Sequence, residues 1–180
     1  NISFKKLPMK LFAAIFSFFI AIIGSHAQTL KKVPIANTGC SVYAYCELNF
    51  DKSFSPDSST IYVAECAAGE MNYGVICVKL SLPTDSLNIA ENTLISYLEY
   101  LKSNLNITEA VGYGKGHRLN NNEKTRGVLD YWKDSDKNNW KIKAWTDGKF
   151  FGVLYGYSLK ELPEAKLNVF LEGFRFPGMK

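Results

Sequence analysis

The chain has 180 residues, with 21 lysines and arginines against 17 aspartates and glutamates and a formal net charge of +4. Without Lys5, Lys6 and Lys10 the 21 basic residues become 18, close to the 17 acidic ones, so the excess belongs to the N-terminal stretch. The remainder offers no electrostatic reason to expect a nucleic-acid partner.

Those three lysines precede an unbroken apolar run from Leu11 to Gly24, followed by Ser25-His26-Ala27. Basic, apolar and small-residue segments in that order read as a secretory signal peptide over residues 1–27, with cleavage after Ala27. The apolar run is shorter than the roughly 20 helical residues that cross a hydrocarbon core, so it is an address and leaves no membrane span after removal. The expected location is the periplasm or the extracellular space. Met9-Lys10 reads as a natural start, which makes residues 1–8 an upstream extension of the reading frame or the trace of a fragment. Residues 28–180 suffice for a single domain.

In chain order, residues 41–50 alternate between apolar and polar, the period of a half-buried strand. A polar stretch at 51–59 interrupts, and strands are expected at 60–67 and 71–80 around a Gly69-Glu70 hairpin turn. Leu94, Leu98, Leu101 and Leu105 then mark one apolar stripe of a helix, capped at Asn88 with Glu91 or else at Thr84 or Ser86. A glycine-loosened strand follows at 109–118, then strands at 126–133, 140–146 and 149–157. The last two are joined by Asp147-Gly148, which predicts a two-residue turn with Ala144 opposite Phe151, Ile142 opposite Val153 and Trp140 opposite Tyr155. These six form a predicted core face. A short helix behind Pro163 turns Leu167, Phe170 and Leu171 inward, with Gly173 as its C-terminal cap. The expected architecture is α+β, an antiparallel sheet of about seven strands in the order βββ-α-ββββ-α, packed by two helices.

All four cysteines, Cys40, Cys46, Cys66 and Cys77, lie beyond the leader. An oxidising compartment permits two disulfides, while buried free cysteines would serve as small apolar residues. Their spacing contains no C-x2-C pair, and zinc is not expected. The hairpin register sets Cys66 opposite Tyr73 and leaves Cys77 about 13 Å further along its strand, beyond disulfide reach. The expected bridge is Cys46 with Cys66.

The ending "WKIKAWTDGKFFGVLYGYS" followed by "FLEGFRF" resembles the C-terminal half of PsbP-like α/β/α sandwich domains, where a last hairpin precedes a helix with paired phenylalanines. It is also similar to small exported proteins of Bacteroidetes-type bacteria. The resemblance covers about the last 45 residues by motif and the rest by element order. It implies an accessory or binding role and carries no functional residue across.

Four features invite a chemical reading. Asp134-Ser135-Asp136-Lys137-Asn138 alternates oxygen side chains as calcium loops do, but Asn139 stands where glycine is wanted and Trp145 where a bidentate glutamate is wanted. The run "GYGKGH" at 112–117 lacks the spacing of a phosphate-binding loop. His117, the sole histidine beyond the leader, has no recognisable nucleophile motif near it in sequence. Finally, the face opposite the predicted core carries Lys141, Lys143, Trp145 and Phe150 beside Gly152 and Gly156, a candidate ligand-binding surface unless the C-terminal helix covers it, with Trp145 then only partly accessible. The leading expectation is an exported, non-catalytic accessory or binding protein with no cofactor and no metal. The alternative is an exported hydrolase with a site around His117.

Overall fold

The computed structural model describes residues 29–180, so the signal peptide and its cleavage point lie outside the described residues. In chain order the elements are β1 (Lys31–Pro34), β2 (Ser41–Ala44), β3 (Asp51–Phe54), β4 (Thr60–Ala68), β5 (Met71–Lys79) and α1 (Leu87–Asn104). They continue with β6 (Ile107–Ala110), β7 (Gly114–His117), a 3-10 turn at Leu119–Asn121, β8 (Arg126–Asp134), β9 (Asn139–Thr146), β10 (Phe150–Ser158), α2 (Glu164–Leu171) and β11 (Phe174–Arg175). The class is α+β and the strand pairs are antiparallel.

Instead of one sheet of about seven strands there are two among the described residues. The larger has eight strands, ordered β3-β4-β5-β10-β9-β8-β6 with β7 also on β8, and a three-stranded sheet runs β1-β2-β11. α1 covers one face of the large sheet. Ser86 caps it, its Oγ accepting from the Ile89 N–H at 3.5 Å, and Leu94, Leu98 and Leu101 pack onto Val128, Ile142, Ala144, Phe151 and Val153. The opposite face meets the small sheet and α2, where Tyr73, Val75, Trp145 and Leu154 pack against Val42, Ala44, Leu167, Phe170 and Phe174.

Several local expectations are corrected. The strand expected at 41–50 ends at Ala44, and the polar stretch after it contains β3, an edge strand whose four residues are all exposed and so lack any inward apolar pattern. The strand expected at 109–118 is two short strands, β6 and β7, because the ladder on β8 breaks between them. β1 and β11 were not expected. The hairpin of β9 and β10 pairs Ala144 with Val153, Ile142 with Tyr155 and Trp140 with Tyr157, two positions from the predicted register. The cause is the Asp147 carboxylate, which accepts from the N–H groups of Lys149 and Phe150 at 2.9 Å each and widens the turn. A slip of two keeps every side chain on its face, so the six core residues remain together.

The hairpin of β4 and β5 has the expected register, with Cys66 opposite Tyr73, and Cys46 and Cys66 are joined by a disulfide. α2 buries Leu167, Phe170 and Leu171 as expected, but Gly173 is required for a different reason. A Cβ there would lie 2.7 Å from the Phe170 carbonyl oxygen and 2.9 Å from that of Tyr43. It lets the chain leaving α2 press against β2.

Candidate functional site

An α-helix is about 10 Å across and neighbouring strands lie about 4.8 Å apart, so one helix shelters about two strands. α1 lies over β8 and β9 and touches β6, and among the described residues the same face of β3 and β4 extends beyond the helix. There the chain forms an open groove of about 630 Å³, within the size range of small-molecule sites. Ile61, Val78, Leu80 and Phe151 make its floor; Thr93, Ser96, Tyr97 and Tyr100 of α1 make one wall, and Phe54 with the 55–59 turn makes the other.

The two walls carry exposed rings: Phe54 is 66% and Tyr100 63% exposed. Tyr97 stands between wall and floor, its ring 5.9 Å from Phe151 and 6.3 Å from Tyr100, and burial together with Tyr100 pushes its phenol up to about 12. It is therefore a neutral hydroxyl at physiological pH. The 55–59 turn is held by Asp57, whose carboxylate accepts from Ser55 Oγ, from Ser59 Oγ at 3.0 Å and from the Ser59 N–H at 3.1 Å. Those bonds, led by the one from Ser55, hold its carboxyl below the ordinary value. Ser59 Oγ in turn accepts from the Ser81 N–H at 3.0 Å, fixing the turn to the chain beyond β5. Asp57 is the one carboxylate among the lining residues, and its oxygens serve the turn. What faces a ligand is rings, aliphatic floor and hydroxyl groups.

The four residues singled out from the sequence, Lys141, Lys143, Trp145 and Phe150, lie together on the opposite face, beneath the chain's own C-terminal segment. Lys141 pairs with Glu164 and Lys143 with Glu172. Burial alone would lower the Lys141 ammonium, but the bond to Glu164 and the nearby Tyr131 outweigh it and raise it. Trp145 is 0% exposed, not partly accessible at an edge, and its Nε1 donates to the Leu171 carbonyl at 2.9 Å. Its two cross-strand neighbours are Gly127 and Gly152. A Cβ at Gly127 would lie 2.3 Å from the indole, and one at Gly152 would lie 2.7 Å from the Phe174 ring. The glycines make room for the chain's own rings.

The glycine run at 112–117 is pinned by carboxylates. Asp130 accepts from the Gly112 N–H at 2.9 Å, the Tyr131 N–H at 2.8 Å and Trp132 Nε1 at 2.6 Å, with Lys102 Nζ at 3.4 Å. Glu91 accepts from the Gly116 N–H at 3.1 Å, and Glu99 accepts from the Tyr113 hydroxyl at 2.8 Å. A loop whose donors already face carboxylates repels phosphate. His117 is half-buried at the end of β7, paired with Gly127, and among the described residues no serine, cysteine or carboxylate hydrogen-bonds to it. In the 134–138 loop both Asp134 oxygens are taken, by the Asn138 N–H at 2.9 Å and by Asn138 Nδ2 and Trp140 Nε1 at 2.8 Å each. Among the described residues no cluster of three or more histidines, cysteines or carboxylates is placed to hold a metal ion, and no helix is long and apolar enough to cross a membrane.

Sequence reasoning missed the groove. Its one signal was the flank of α1, where Thr93, Ser96, Tyr97 and Tyr100 run beside the leucine stripe. No protein-family model matches the chain, and no curated protein matches it.

Proposed function

We propose that the chain is an exported, non-catalytic binding protein of PsbP-like sandwich architecture, akin to the small exported proteins its C-terminal hairpin and helix resemble. Its ligand site is the groove between α1 and the hairpin of β3 and β4. The ligand is a small uncharged molecule with a flat apolar body and a few hydrogen-bonding edges. The observation that carries this reading is the pair of walls, where Phe54 and Tyr100 stand exposed above a floor of Ile61, Val78 and Phe151, with hydroxyl groups and a single carboxylate, Asp57, at the rim. Rings held apart on two elements leave room for an apolar body between them, each such ring contact contributing about 0.5–1.5 kcal/mol. The Cys46–Cys66 disulfide is compatible with export. A hydrolase around His117 has less support, because no nucleophile is hydrogen-bonded to that imidazole among the described residues.

The test is a fluorescence titration with Nile red, an uncharged flat probe. Saturable binding to the parent is expected. Phe54→Ala with Tyr100→Ala should weaken it about tenfold, the equivalent of about 1.4 kcal/mol. If the parent shows no saturable binding, or the double variant binds as tightly as the parent, the groove is not the site.

A further inference from the structure

Cys40 and Cys77 are free thiols, and both are buried. Cys77 sits on the central strand β5, between Tyr62 of β4 and Gly152 of β10, on the face turned toward the small sheet. Above Gly152 lies the Phe174 ring, and Phe174 pairs with Val42 of β2. Cys40 immediately precedes that strand, so the small sheet delivers it onto β5. Both thiols belong to one buried core cluster, neither more than 2% exposed, and Cys40 is among the groups that push the Cys77 thiol up.

We propose that Cys40 and Cys77 are a second disulfide site, closed by thiol–disulfide exchange while the chain folds, which ties the small sheet to the central strand of the large one. The strand pairings and the shared core cluster bring the two cysteines together, and the Cys46–Cys66 bond is compatible with an oxidising compartment. The external oxidant is a disulfide, either oxidised glutathione or a dithiol oxidase. The Cys40 thiolate attacks one of its sulfurs, forms a mixed disulfide and expels a thiolate. The Cys77 thiolate then attacks the Cys40 sulfur and expels the second thiolate. Both protein protons end on the two released thiols, and the external disulfide is reduced as the protein pair is oxidised. Timing follows from the core: with Cys40 2% and Cys77 0% exposed, no external disulfide reaches either sulfur in the closed fold, so exchange precedes closure.

The test is peptide mapping of the full chain after alkylation by iodoacetamide in denaturant without reductant. Two preparations are compared: protein exported by the expression host, and reduced, unfolded protein refolded in a glutathione redox buffer. The expected result is a Cys40–Cys77 peptide alongside Cys46–Cys66, with no cysteine alkylated. Alkylated Cys40 and Cys77 beside an intact Cys46–Cys66 bond, or bonds that cross between the pairs, overturn the proposal. A third sample, refolded under reductant and then given oxidised glutathione, should leave Cys40 and Cys77 alkylatable over the time in which refolding closes the bond. Equally fast closure there defeats the claim that exchange precedes packing.

Discussion

The two faces of the large sheet carry the same kinds of residue, aromatic rings next to glycines, and end in opposite states. On the face toward α2, Trp145 spreads across Gly127, Phe174 sits over Gly152 and Leu167 over Gly156, and the lysines between them are ion-paired with Glu164 and Glu172. On the face toward α1, Tyr155 lies over Gly74 and Trp140 stacks on Tyr157 at 4.1 Å, yet the far end of that face stays open as the groove. Composition does not separate a packed face from a binding face. The difference is coverage: a three-stranded sheet plus a helix spans one side, and a single helix cannot span the other.

The comparison breaks most readily at Trp145. Trp145→Ala removes a fully buried indole and its bond to Leu171, and should cost about 3–5 kcal/mol, read as a lower denaturant midpoint at unchanged slope. A loss under about 1 kcal/mol would mean that this face is not the packed one.

A smaller effect is expected at Asp134, which anchors Trp140 on the other face. Burial would raise its carboxyl, but the bonds from Asn138 and Trp140 outweigh burial and hold it below the ordinary value. A depressed folded-state pKa stabilises above the unfolded value of about 3.9, and that contribution fades as pH falls below it. Asp134→Asn should therefore cost about 1–2 kcal/mol at neutral pH, with the gap to the parent narrowing from about pH 4 downward. A gap that is constant across that range would assign the bonds to the neutral acid. Least of all should change at the groove: Phe54→Ala and Tyr100→Ala are expected to move unfolding by no more than about 0.5 kcal/mol each while weakening the probe. A larger loss would make those rings part of the core.

Elements rich in buried apolar residues were legible in the sequence. β4, β5 and β10 stand out as β-rich runs, β5 and β10 being buried on both faces, α1 stands out by the leucine stripe of its one buried face, and the Gly69-Glu70 turn set the register that leaves Cys66 for Cys46. β3 was not legible because Asp51, Lys52, Ser53 and Phe54 are all exposed on a sheet edge. β11 is two residues long and exists only through its pairing with β2. The hairpin register depended on a side-chain bond from Asp147 that the dipeptide Asp-Gly does not announce. The groove was hidden for another reason: its lining comes from β3, the turn after it, β4, β5, α1 and β10, and no single stretch of chain carries its pattern.

The order of the large sheet also bears on how the chain reaches it. β3-β4-β5 and β8-β9-β10 are each meanders of near neighbours, whereas the seam between them pairs Lys79 with Phe150 and Asn72 with Tyr157. Closing a span of that length costs about 3 kcal/mol more in chain entropy than closing a tight hairpin. Two locally assembled halves that meet along β5 and β10 make the seam the late event in folding. Cys77, opposite Gly152, lies on that seam, so the interval before the halves dock is when its sulfur is still within reach of solvent.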